Sequence, residues 1–190
     1  MVWVVIVVIL VVAFGPIFWL MPSRRERRIG RLRQRAYQRG MRVEMRRLPG
    51  IDVAPEDRVT AGGRPLDTSR ECAAYLMPLA TRLRLLPPAR LLRRAEGTAA
   101  VPGWGFEPGR RPEDPRLDAM LAALTPTLEA LPQDVPALEV DTHAVAGYWL
   151  EGPGTTPERV DELADRLARA AESLTDLEQR LEAESSAGGI

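Results

Sequence analysis

Leu138-Glu-Val-Asp-Thr-His-Ala-Val-Ala-Gly-Tyr-Trp-Leu150, and the run from Thr155 to Leu181 that follows it, decide the fold class. In the first stretch Leu138 and Val140 alternate with Glu139 and Asp141, the two-residue period of a half-buried strand. The chain turns at Asp141-Thr-His143, and Val145 to Leu150 continue as a second strand, so the outline is a hairpin. In the second stretch the period changes. Val160, Leu163, Leu167, Ala170, Leu174, Leu177 and Leu181 recur at three and four, and Thr155, Pro157 and Glu158 mark a helix start. Glu162, Asp165 and Asp176 each stand four residues before an arginine, the favourable order on a helix surface. A hairpin followed by a helix over 157–183 predicts an α+β domain. Two readings of that helix stay open. Its apolar stripe, widened by Ala164 and Ala171, lies on its own sheet, or Leu167, Leu174 and Leu177 pair with a second copy as a coiled coil.

Working back from there, Leu117, Met120, Leu121, Leu124, Leu128 and Leu131 predict a helix over 115–131. Before it, 97–114 reads as a loop because half of the residues from 102 to 115 are proline or glycine. Trp104 and Phe106 lie inside that loop, either folded back over the core or offered to a protein partner. Cys72 to Met77 form a short apolar run ended by Pro78, and Met41 to Leu48 alternate apolar and charged residues. Both read as strands, with a turn-rich loop over 49–70 between them. The predicted domain, 41–190, is thus a small, mainly antiparallel sheet (near 41–48, 72–77, 137–141 and 144–151) with two helices on one face.

At the amino end, Met1 to Met21 carry no charged side chain, and about 20 residues of helix span roughly 30 Å, the thickness of a bilayer's hydrocarbon core. The sequence therefore predicts a transmembrane helix over 1–21. Eleven arginines against two glutamates follow between Arg24 and Arg47, which by the positive-inside rule puts the amino terminus outside and the domain in the cytoplasm. Ser23 and Glu26 have the spacing of a capping box, so a basic juxtamembrane helix is expected within 22–40. Its Arg24, Arg25, Arg27, Arg28, Arg31, Arg33, Arg35 and Arg39 are expected on the anionic headgroups of the bilayer. Nucleic acid is not an expected partner, since the bilayer already supplies phosphates beside these arginines.

Pro22-Ser-Arg-Arg-Glu-Arg-Arg28 after an apolar helix, and later Asp57-Arg-Val-Thr-Ala-Gly-Gly63, resemble the YajC family, the small membrane-anchored auxiliary subunit of bacterial preprotein translocase. The likeness covers the first third of the chain, and one residue of the family's Asp-x-Val-x-Thr-x-Gly-Gly turn is missing between Val59 and Thr60. It implies a non-enzymatic protein of the bacterial inner membrane that contacts translocon accessory subunits.

Chemistry is sparsely signalled. Every one of the 26 basic residues is arginine, and Cys72 and His143 are each alone, which leaves no His/Cys metal cluster and no internal disulfide. Gly62-Gly63 lacks the spaced glycines and the Lys-Ser/Thr of a phosphate loop, so no cofactor is expected. The expected function is a non-catalytic, single-pass membrane-anchored interaction subunit, accessory to protein translocation, with self-association through the last helix as a further expectation. The alternative is a membrane-tethered enzyme using Asp141 and His143, in which the carboxylate orients the imidazole.

Overall fold

The computed structural model describes residues 2–4, 6, 23–51, 68–94 and 101–187. In order these form α1 (Arg24–Gln38), β1 (Arg42–Leu48), β2 (Arg70–Pro78), β3 (Ala89–Arg93), β4 (Trp104–Phe106), α2 (Leu117–Ala130), β5 (Ala137–Val140), β6 (Ala144–Trp149) and α3 (Pro157–Ala187). The six strands make one sheet in the order β1-β2-β6-β5-β3-β4, antiparallel at every pairing. The β5–β6 hairpin sits between β2 and β3, so the alternating stretch at 138–150 supplies the centre of the sheet.

Strand alternation sorts the side chains between two layers. Tyr75, Leu91, Leu138, Val140, Val145 and Trp149 point to the face covered by all three helices and join Leu32, Leu124, Leu128, Leu163, Leu167 and Leu174 in the main core. Cys72, Ala74, Leu92, Ala137, Ala146 and Tyr148 point to the other face and form a smaller buried cluster. Gly147 faces the helices, and a Cβ there would lie 3.4 Å from Leu163 and 3.5 Å from Leu167. The missing side chain lets α3 settle close on β6.

Two strands were not legible in the sequence. β3 lies behind Pro87-Pro88 in a mixed arginine and leucine run, and β4 is three residues within the predicted loop. Neither is long enough to display a period. β4 forms because Gly103, at φ 74°, turns the chain so that Trp104 to Phe106 pair with β3.

The amino-terminal expectations need correction. Among the described residues no helix is long and apolar enough to cross a membrane, which overturns the single-pass membrane-anchored architecture and the inner-membrane location built on it. The transmembrane reading of 1–21 falls, apart from residues 2–4 and 6, outside the described residues, as do the loop over 52–67 and the Asp57–Gly63 turn. The basic helix is present but is part of the domain. Ser23 and Glu26 form a reciprocal capping box at its start. At its end Met41 N–H donates to Ala36 O and Gly40 N–H to Tyr37 O, with Gly40 at φ 79°, the double closure that a left-handed glycine permits. Leu32 and Ala36 are fully buried, and the helix lies on α3 and β1.

Candidate functional site

The arginines of α1 fall into two sets, and the split is the most informative surface feature of the described residues. The apolar residues Ile29, Leu32 and Ala36 fix which side of the helix is inward, and the arginines flanking that stripe find partners in the same chain. Arg35 makes a two-pronged contact with Asp161, at 2.9 and 2.8 Å. Arg39 reaches Asp161 and Asp165. On the opposite flank Arg33 forks onto Glu151 at 3.2 and 3.1 Å, and Glu151 also accepts the Tyr75 hydroxyl at 2.8 Å. Arg28 donates to the Pro153 carbonyl. The fork geometry matches guanidinium to carboxylate, which is why arginine suits this role.

This pairing corrects the assignment of Arg28, Arg33, Arg35 and Arg39 to bilayer headgroups: their guanidinium groups are held by acidic and carbonyl oxygens of α3 and the segment before it. The Arg35 guanidinium holds the Asp161 carboxyl below the ordinary 3.8, with Arg39 adding to the effect. A carboxylate depressed in the folded state stabilises it above its unfolded pKa, and that contribution is lost as pH falls through the folded value. Stability measured by denaturant at pH 5 and at pH 3 is therefore expected to fall across that window. Arg35→Gln should shrink the difference, since the largest influence that lowers the carboxyl is removed and Arg39 alone remains beside it.

Arg24, Arg27 and Arg31 form the second set. They are spaced at three and four on the solvent side of α1, all are exposed, and together they line one open cleft. Among the described residues no carboxylate pairs with any of them. Arg25 is exposed as well.

A second charged cluster lies on the other face of the sheet. Arg90 contacts Glu139 at 3.0 Å and Glu107 at 3.1 Å, Arg46 reaches Glu139 at 3.5 Å, and Arg110 reaches Glu107 at 3.6 Å. The Tyr148 hydroxyl donates to Glu139, and burial with that carboxylate pushes the phenol up to about 12. Arg90, Glu107, Arg110 and Glu139, with Pro88 and Asp141, line a cleft of about 300 Å³. Its acids and arginines are matched to one another, so the cluster ties β1, β3, β5 and β6 across the second face rather than presenting free charge.

Asp141 and His143 are not brought together as a catalytic pair. Asp141 accepts from the Thr142 backbone at 2.5 Å, and the His143 ring nitrogen Nδ1 lies 2.7 Å from the Thr142 hydroxyl. The segment is a side-chain-closed turn. With no membrane-spanning helix among the described residues, the membrane-tethered enzyme reading is overturned along with the anchored subunit.

Of the residues expected at a protein partner, Trp104 is 1% exposed and donates its indole N–H to Leu128 O at 3.1 Å. The Arg93 guanidinium lies over its ring at 4.5 Å and donates to the carbonyls of Leu131 and Pro132 at the end of α2. Phe106 is half-buried with Arg111 over it. Leu167 and Leu174 are fully buried and Leu177 nearly so, all facing the chain's own α2 and sheet. The stripe that sequence alone left open between two partners is thus filled by the domain itself.

One residue that sequence reasoning passed over is Glu178, which is fully buried on the same stripe, between Leu174 and Leu181. Its carboxylate accepts three consecutive backbone N–H groups, from Arg84 at 2.5 Å, Leu85 at 2.7 Å and Leu86 at 3.1 Å. A charged residue at an apolar position of a heptad was the available signal. Against this geometry, no family model, curated protein or solved structure matches the chain.

Proposed function

We propose that this chain is a protein-binding module that docks an acidic protein segment on the arginine row Arg24, Arg27 and Arg31. The observation that carries the reading is the division of α1. One side of this helix already recognises an acidic helix, α3, through forked guanidinium–carboxylate contacts, and the solvent side repeats the same chemistry without a carboxylate among the described residues. Seven residues of helix rise about 10.5 Å, so the row suits an acidic segment with carboxylates spread over two helical turns. The likeness of 22–28 and 57–63 to the YajC family contributes nothing to this function.

The test uses the full chain and a synthetic helical peptide bearing glutamates at positions i, i+3 and i+7, read by fluorescence anisotropy. Each exposed ion pair contributes about 0.5–1 kcal/mol, so changing all three arginines to glutamine is expected to weaken binding roughly 10- to 100-fold. Raising ionic strength toward 1 M, where the Debye length is about 3 Å, should have a similar effect. Equal binding by the triple variant would overturn the proposal. So would tighter, equally salt-dependent binding of a DNA duplex than of the peptide.

A further inference from the structure

α1 and α3 each carry an outward row with the same spacing. On α1 it is Arg24, Arg27, Arg31 and Gln34, and on α3 it is Arg169, Glu172, Asp176 and Gln179. Steps of three, four and three keep each set on one side of its helix, and all eight side chains are exposed. Along α3, Asp161 and Asp165 hold Arg35 and Arg39, and Glu162 holds Arg159. Glu172 and Asp176, by contrast, meet no arginine side chain among the described residues. Arg169 and Arg180 commit only Nε, to the backbone carbonyls of Asp165 and Asp176 one turn back.

The way these two helices recognise each other is already displayed inside the chain. Arg35 and Arg39, four residues apart on α1, meet Asp161 and Asp165, four residues apart on α3. Arg27 and Arg31 repeat the first spacing, and Glu172 and Asp176 repeat the second. They cannot meet within one molecule. The two helices run parallel, which places Arg28 on the Pro153 carbonyl and the arginine row beside the start of α3. Glu172 lies about 15 residues beyond Pro157, roughly 22 Å farther along the axis.

We infer that the acidic segment bound by the arginine row is the α3 row of a second copy, laid antiparallel so that Arg27 meets Asp176 and Arg31 meets Glu172. The inference rests on the reading of the row as an acidic-segment site and names its partner. Charge order selects the direction. In the antiparallel arrangement the end pairs are Arg24 with Gln179 and Gln34 with Arg169, each a guanidinium beside an amide oxygen that can accept from it. A parallel arrangement would keep two arginine–acid pairs but set Arg24 against Arg169. The charges at the margins are compatible with the antiparallel course. Glu26 turns back to the Ser23 backbone, and Arg28 and Arg35 are held by the domain. Of the two arginines that border the α3 row, Arg166 comes level with Tyr37, and Arg180 with Ser23, beyond the last pair. Two different surfaces meet, so the contact is heterologous. Each copy keeps one free row of each kind, which produces rings or open chains rather than a closed two-fold pair.

The test follows the mass of the full chain against concentration by sedimentation equilibrium in 0.1 M salt, where the Debye length is about 10 Å, with the fold checked by circular dichroism. The wild type is expected to gain mass with concentration and to lose that gain near 1 M salt. Arg27→Glu turns one attractive pair into a repulsive one and should weaken association about tenfold. Two double variants, both with the net charge of the wild type, then decide the pairing. Arg27→Glu with Asp176→Arg restores matched pairs and should associate as the wild type does. Arg27→Glu with Glu172→Arg opposes like charges at both positions and should stay monomeric. Equal association of the two double variants, or the reverse preference, would overturn the inference. A wild type that stays monomeric while the glutamate peptide still binds the row would overturn this inference alone. Loss of both would remove the reading on which it rests as well.

Discussion

Replacing Glu178 with alanine is expected to lower the stability of the folded chain by more than ~3 kcal/mol, and the melting temperature by about 6–12 °C. The expectation comes from the asymmetry between making a hydrogen bond and losing one. The carboxylate accepts N–H groups from three successive residues, Arg84, Leu85 and Leu86, and its side chain is sealed beneath them. Truncation leaves three donors without an acceptor, the Leu86 N–H buried and those of Arg84 and Leu85 part-buried, and every buried unsatisfied donor costs about 1–3 kcal/mol. Glu178→Gln keeps an acceptor oxygen but turns an amide N–H₂ toward the remaining donors, so it is expected to fall between wild type and alanine. Urea unfolding of the full chain followed by tryptophan fluorescence would measure both. A loss under 1 kcal/mol for alanine would mean that the 84–86 segment finds other acceptors, and that Glu178 is tolerated rather than required. The physical role assigned here is to hold the turn that leads into Pro87-Pro88 and β3. The far half of the sheet is then positioned by the end of α3.

Trp104→Ala is the second large effect, about 3–5 kcal/mol from the cavity and lost packing that follow truncation of a buried tryptophan. Three contacts stand to be lost together: the indole N–H to Leu128 O, the face under Arg93, and the apolar surface that is 1% exposed in the core. Arg93 itself closes the end of α2 through the Leu131 and Pro132 carbonyls, and burial pulls its guanidinium below its ordinary range. Removing the ring therefore loosens a cation that already stands at a helix carboxyl end, where the macrodipole favours it. Trp104→Phe keeps most of the apolar volume and should recover more than half of the loss. Thermal unfolding of the two variants decides between this role and a surface anchor, for which alanine would leave stability within ~0.5 kcal/mol of wild type.

The two residues illustrate different limits of reading a sequence. Trp104 stands in a stretch where Pro102, Gly103, Gly105 and Pro108 hide any period, so nothing local distinguishes a buried ring in a three-residue strand from an exposed one in a loop. Glu178 was visible as an acid at an apolar heptad position, yet its acceptor role depends on a turn some ninety residues away. The arginines of α1 lie between these cases. Their number and their helix were plain, along with the capping box at Ser23 and Glu26 and the glycine stop at Gly40. The division into Arg28, Arg33, Arg35 and Arg39, held by the domain, and Arg24, Arg27 and Arg31, left outward, needed α3 and Glu151 in place. A block of arginine beside an apolar run suggested headgroups because sequence supplies charge without its counter-charges.

By itself, then, the sequence determined what short-range periodicity and local hydrogen bonding control: the hairpin at 138–149, helices α2 and α3, the strands β1 and β2, and the ends of α1. These depend on neighbours within a few residues, where side-chain spacing and caps act directly. Only the tertiary structure decided the order β1-β2-β6-β5-β3-β4, the burial of the Leu167 and Leu174 stripe on its own sheet, and which charges found partners. Those outcomes rest on contacts between residues tens of positions apart. A leucine stripe or an arginine has the same local signature whether its partner is the same chain or another molecule.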